Sequence, residues 1–195
     1  MKLNSNNKRS LFLLIISNLI VLVFALLQSW DILLIIWTYW LQSIIIGFFH
    51  FLKFLSFKNF SISHVNLNGA LYRHKNLIKY LFAFSFLIQF LFFHIVYFFF
   101  LTKEVLPENL LQSLALAGIF FFINHLYSFL YYKKQENSKK IELREFSKLP
   151  YKRLVPMHII IFGFFVGNYA GSTVLIAFSI MKTIADAYGH ILEHK

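Results

Sequence analysis

Long apolar runs without a single charge alternate with short basic clusters along this chain. A bilayer core takes roughly 20 apolar residues in helical conformation to cross. The runs at 11–27, 32–51, 80–101 and 110–131 fit that length. The last apolar stretch, 154–191, is too long for one helix and is interrupted by Gly167-Asn168-Tyr169-Ala170-Gly171-Ser172, which reads as a tight turn. It divides into a short fifth span at 154–166 and a sixth at 172–191. The pattern predicts an all-α fold: a polytopic membrane helix bundle of about six transmembrane helices, in a single membrane domain over residues 1–195. The first run follows Lys2, Lys8 and Arg9, as a signal peptide would. It ends in Gln28-Ser29-Trp30-Asp31 without a small-x-small cleavage pattern, so it reads as an uncleaved span.

Charge tests this division independently, because basic residues collect on the cytoplasmic side. The N-terminus carries Lys2, Lys8 and Arg9. The second connection carries Lys53, Lys58, Arg73, Lys75 and Lys79, and the fourth is densely basic from Lys133 to Arg153. The other connections hold Asp31 in one, Lys103, Glu104 and Glu108 in another, and no charge in the last. The alternation predicts both termini in the cytoplasm and a multi-pass protein of the cell membrane. The second connection is expected to include a short amphipathic helix on the inner surface, and the segment 133–156 to extend the fourth helix into the cytoplasm.

Composition agrees. Hydrophobic residues make up 58%, charged residues 14%, and the mean hydropathy is +0.64; a soluble domain carries about 25% charged residues. The formal net charge of +11 lies beside apolar spans, which points to anionic lipid headgroups and not to nucleic acid. The absence of cysteine excludes disulfides, thiolate metal ligands and cysteine-ligated iron–sulfur clusters. Gly163 and Gly167, four apart in an apolar helix, allow close backbone approach, either within the bundle or in a homodimer.

Ionisable groups inside hydrocarbon are costly and face a partner or a cavity. Lys182, Asp186, His190 and His194 recur every four residues on the sixth span. Four residues advance about 400°, so these side chains form one slowly drifting stripe. Lys182 and Asp186 can pair along the helix, and Asp186 is placed to fix the tautomer of His190. His125, His158 and His50, on three other spans, fall in the same cytoplasmic leaflet. His125, His158, Asp186 and His190 have the donor atoms for Zn, Fe or Mn. Asp186, His190 and Lys182 also suit acid–base catalysis with a metal-bound water. Two readings follow. One is a membrane-embedded metal-dependent enzyme acting by hydrolytic or redox chemistry on a lipid-like substrate. The other is a non-enzymatic membrane protein, a small transporter subunit or structural partner, in which the same residues form a polar packing network. Haem is not expected: His94 and His125 lie at unmatched depths, and only His125 with His158 leaves its geometry open. Gln42, Ser43 and Gln89 read as helix–helix hydrogen-bonding groups. No Gly-x-Ser-x-Gly elbow, P-loop or His-Glu-x-x-His motif occurs.

Short pieces along most of the chain carry a resemblance. They are Tyr39-Trp40-Leu41-Gln42-Ser43 with Gly47-Phe48-Phe49, Phe92-Phe93-His94 with Tyr97, and Asn124-His125 with Ser128-Phe129. Pro150-Tyr151-Lys152-Arg153 with His158 follows, then Lys182 with Asp186, His190, Glu193 and His194. On these the chain resembles a family of prokaryotic polytopic membrane proteins known only as a domain of unknown function. The resemblance implies a membrane location and brings no activity. A looser similarity, the His-x3-His ending, is to the membrane hydrolase superfamily that includes alkaline ceramidases. That superfamily has seven spans and a Ser/His motif with no counterpart here.

Overall fold

A computed structural model describes residues 5–28, 30, 32–62, 75–106, 108–135, 141–151, 155, 159 and 172–193. The described helices are α1 (Ser5–Leu27), α2 (Ile32–Ser56), α3 (Lys75–Leu101), α4 (Leu110–Gln135), α5 (residues 143–151) and α6 (Ser172–Glu193). Two-residue strands β1 (Phe60–Ser61) and β2 (Ile141–Glu142) pair in parallel, with Phe60 opposite Ile141. The fold is an all-α bundle. Segments within α1, α2, α3 and α4 are long and apolar enough to cross a membrane. α6 has 22 residues and carries the polar stripe. The proposed fifth span, with His158, Gly163 and Gly167, lies outside the described residues except for Val155 and Ile159.

α2 is the central helix. It packs against α3, α4 and α6, while α1 packs against α4 and α6. Of the apolar window of α2, 72% is buried inside the protein, against 28–33% for the other three long helices. Their outward faces carry Phe12, Ile88, Phe92 and Phe99, all exposed, as a surface facing acyl chains requires. α2 and α3 meet closely where the Phe90 ring lies against Gly47. A Cβ added at Gly47 would run into that ring.

The helices overrun the apolar segments that announce them. α3 begins at Lys75, not residue 80; α2 continues to Ser56 and α4 to Gln135. A helix satisfies its own backbone groups, so it can continue through a polar boundary, while long cationic side chains follow their charge toward water. Lys79 departs from this pattern. It is buried, and its Nζ donates to the carbonyls of Leu55 (3.1 Å) and Phe57 (3.0 Å) at the end of α2. Its charge caps carbonyls that have no partner further along the helix.

The expected extension of α4 into solvent stops at Gln135; the chain next described, at Ile141, pairs with β1 and turns into α5. In the second connection the described residues hold β1, and the region 63–74, where the amphipathic helix was expected, lies outside the described residues. α5 packs its buried faces, Leu143 and Phe146, onto a cluster of Phe54, Phe57, Phe60 and Phe86. This places α5 across the end of the bundle where α2 stops and α3 begins.

Candidate functional site

α6 presents its polar stripe to α1 and α2. Lys182 and Asp186 are each 0% exposed, and Lys182 Nζ donates to Asp186 Oδ1 at 2.6 Å. The other carboxylate oxygen, Oδ2, accepts from Asn18 Nδ2 at 3.2 Å. Asn18 Oδ1 in turn accepts from Gln42 Nε2 at 2.9 Å. The Lys182 ammonium also stands over the Tyr39 ring, 5.6 Å from its centroid. Lys182 is about 16 Å from the end of α6 at 1.5 Å per residue. An ion there needs its counter-ion and hydrogen bonds within the protein: α6 itself supplies the counter-ion, α1 the hydrogen bond from Asn18, and α2 the Tyr39 ring.

One turn further on, the stripe changes partners. His190 Nε2 lies 2.9 Å from Ser10 Oγ on α1. The expected hydrogen bond between Asp186 and His190 is not formed. Side chains on a helix project back toward its N-terminus, so the Asp186 carboxylate reaches Lys182, whose full charge outcompetes a neutral imidazole for it.

His190 lines a partly open cavity of about 20 Å³, room for about one water. α2 contributes His50 and Lys53 to it, α4 contributes Asn124, His125 and Ser128, and α1 contributes Ser10. Leu149 and Pro150 of α5 also line it. Each imidazole is positioned by packing. The His50 ring stacks on Phe146 of α5, with centroids 4.0 Å apart and planes 8° from parallel. The His125 ring lies along Phe49, with centroids 6.4 Å apart. Asn124 is buried, and among the described residues its Oδ1 accepts no hydrogen bond.

Of the residues singled out by sequence, the structure brings His125 and His190 to this cavity together with His50. Asp186 and Lys182 lie beside it in their own network. His158 and His194 fall outside the described residues. Among the described residues no three His, Asp or Glu side chains are grouped as metal ligands would be; a three-ligand centre on His125 and His190 would draw on His158. His94 stays apart, stacked on Phe90 at 4.1 Å with its Nδ1 2.8 Å from the Phe90 carbonyl oxygen. Gln42 and Gln89 bond between helices, Gln89 accepting from Tyr151 at 2.9 Å.

Sequence reasoning passed over Ser10, Asn18 and Lys53. Ser10, Leu14 and Asn18 share one face of α1 at four-residue spacing, and all three are buried, so a polar residue amid apolar ones was the available signal. Lys53 was counted only as a member of a basic cluster. Its burial follows from α5 folding back over the end of α2, which no local pattern announces.

Fold and site together define an all-α bundle with membrane-length helices around a buried polar core, with no activity attached by its architecture. The chain belongs to the DUF6498 family, a family of unknown function whose model matches residues 1–195. No curated protein matches the chain. No solved structure matches it either.

Proposed function

We propose that this is a multi-pass protein of the cell membrane, with about six spans and both termini in the cytoplasm, and that the cavity among α1, α2, α4 and α6 is an acid–base site in the cytoplasmic leaflet. The observation that carries the reading is the convergence of His50, His125 and His190, from three helices, on one polar cavity. Imidazole is the side chain whose ordinary titration falls between about pH 5 and 8. Three of them around a water-sized space can pass a proton to and from a bound group. In this reading His125 and His190 exchange the proton, His50 is held in place by Phe146, and the Lys182–Asp186 pair is the fixed scaffold behind them. A metal-assisted version would use His125 and His190 with His158 around Zn, Fe or Mn.

Histidine-labelled protein in lipid nanodiscs provides the test, read by nitrogen NMR between about pH 5 and 8. The expected result is that His125 and His190 change protonation in this range and that His50→Gln shifts both titrations, as coupled groups do. Elemental analysis of the same sample reads the metal-assisted version: about one transition metal per chain, lost in His125→Ala, supports it. Imidazoles that hold one tautomer throughout, in metal-free protein, sink the acid–base site. The second reading, a packing network, would then stand; it is favoured by Asp186, whose two oxygens are both taken by neighbours.

A further inference from the structure

Asn18 and Asn124 carry the same side chain, and both are buried in the bundle. Asn18 has each half of its amide engaged: Nδ2 donates to Asp186 Oδ2, and Oδ1 accepts from Gln42 Nε2. Nothing among the described residues donates to Asn124 Oδ1, although that oxygen is buried. An amide oxygen accepts hydrogen bonds in water and loses them on burial. A native bundle answers such an atom with a protein donor or with an ordered water. The setting of Asn124 differs from that of Asn18 in one respect: Asn124 lines the cavity.

The cavity meets the conditions for an internal water. At about 20 Å³ it has room for one such molecule. Its wall is polar around Asn124. Ser128 follows one turn along α4 on the same face, and Ser10 comes across from α1. A hydroxyl both donates and accepts, so Ser10 keeps capacity beyond its contact with His190, and Ser128 can pair with a water in either sense. An apolar group in the same space would leave the Asn124 oxygen without a donor. A polar ligand of several heavy atoms would not fit.

We infer that the cavity holds a single water, which donates one O–H to Asn124 Oδ1 and pairs with Ser128. Asn124 is then a positioning residue. By accepting one O–H it turns the other, with the lone pairs, toward the rest of the lining, where His125 and His190 stand. This water is the group to and from which the imidazoles pass a proton, and that role rests on the acid–base reading above. The occupancy itself stands independently of that reading.

Solid-state NMR of the full chain in lipid bilayers tests it, with isotope-labelled asparagine side chains and magnetisation started on water. Transfer to the Asn124 side-chain amide is expected to be severalfold faster than to Asn18, whose amide is engaged by protein groups. Ser128→Val fills the space of the water and should bring transfer at Asn124 down to the Asn18 level. Should that variant fail to fold, Ser128→Thr, which adds one methyl, takes its place with the same expected loss. Equal transfer at the two asparagines of the unsubstituted chain overturns the inference. Fast transfer that survives the filling of the space in folded protein overturns it too, because water then reaches Asn124 by another route. Fast transfer beside imidazoles that do not titrate keeps the water and removes its proton-passing role. Titrating imidazoles beside slow transfer at Asn124 remove the water and leave the acid–base site.

Discussion

Lys182 and Asp186 are held deep in an apolar bundle, where a lone ion carries a desolvation cost of several kcal/mol. Their 2.6 Å contact and the Asn18 hydrogen bond offset that cost together. Lys182→Met therefore leaves a buried carboxylate with only an amide, and is expected to lower stability by about 3–5 kcal/mol. Replacing both residues with apolar ones of similar volume should recover most of the loss. Unfolding in mixed micelles, compared across the two single variants and the double variant, measures the difference; equal loss in all three would show that the pair is not the source. This pair was legible in the sequence, because a four-residue spacing on one helix is local. Its acceptance by Asn18 and Gln42 was not. Those contacts join residues 168 and 24 positions apart, and only the packing of α6 against α1 and α2 selects them. The cavity lies between these cases: the depth of His50, His125 and His190 followed from counting along each span, but the presence of Lys53 depended on where α5 folds.

Helix against helix, the tightest constraint is Gly47. Gly47→Ala drives a methyl into the Phe90 ring, which is itself stacked on His94. A loss of about 1–3 kcal/mol is expected, with α2 and α3 moving apart; thermal unfolding of the variant, beside Gly118→Ala, reads it. Gly118 has a Leu41 methyl 3.0 Å from an added Cβ, the far end of a flexible side chain, so the second change should cost less. The spacing of Gly163 and Gly167 drew attention as a pair of glycines, whereas Gly47 is paired at four-residue spacing only with Ser43, which was read as a hydrogen-bonding group. Lys79 is the second constraint between elements. Lys79→Met removes the donor to two carbonyls at the end of α2 and should cost about 1–2 kcal/mol. Lys79→Arg, which keeps a cation, should recover part of it in the same measurement.

At the scale of the whole molecule, the β1–β2 pairing fastens the connection after α2 to the connection after α4, so these two loops lie at one end of the bundle. The absence of cysteine gives a clean background for locating that end. Lys8→Cys, Lys58→Cys and Lys148→Cys should react with an impermeant thiol reagent only after the membrane is opened, and Thr102→Cys should react in intact cells. Labelling of Lys58→Cys and Thr102→Cys from the same side would overturn the alternating arrangement. Apolar run length marked four helices in the sequence, and excess length with the Gly167–Ser172 turn signal divided the last stretch, because both are properties of contiguous residues. The return of α5 over the bundle was hidden, since it depends on Phe146 finding His50 and Phe54 across nearly a hundred residues. The bond between Ser10 and His190 spans 180 positions, and it has a consequence for biosynthesis. In the membrane arrangement proposed above, Gln42 of α2 can engage the Asn18 oxygen early, whereas Ser10 and the Asn18 amide donor meet their partners only once α6 has been made. α6, carrying Lys182 and Asp186, is a poor candidate for the translocon by itself. In that arrangement α1 offers α6 a polar face to pack on, and a chain cut short before α6 is expected to leave Ser10 and the Asn18 amide without those partners and to be degraded faster.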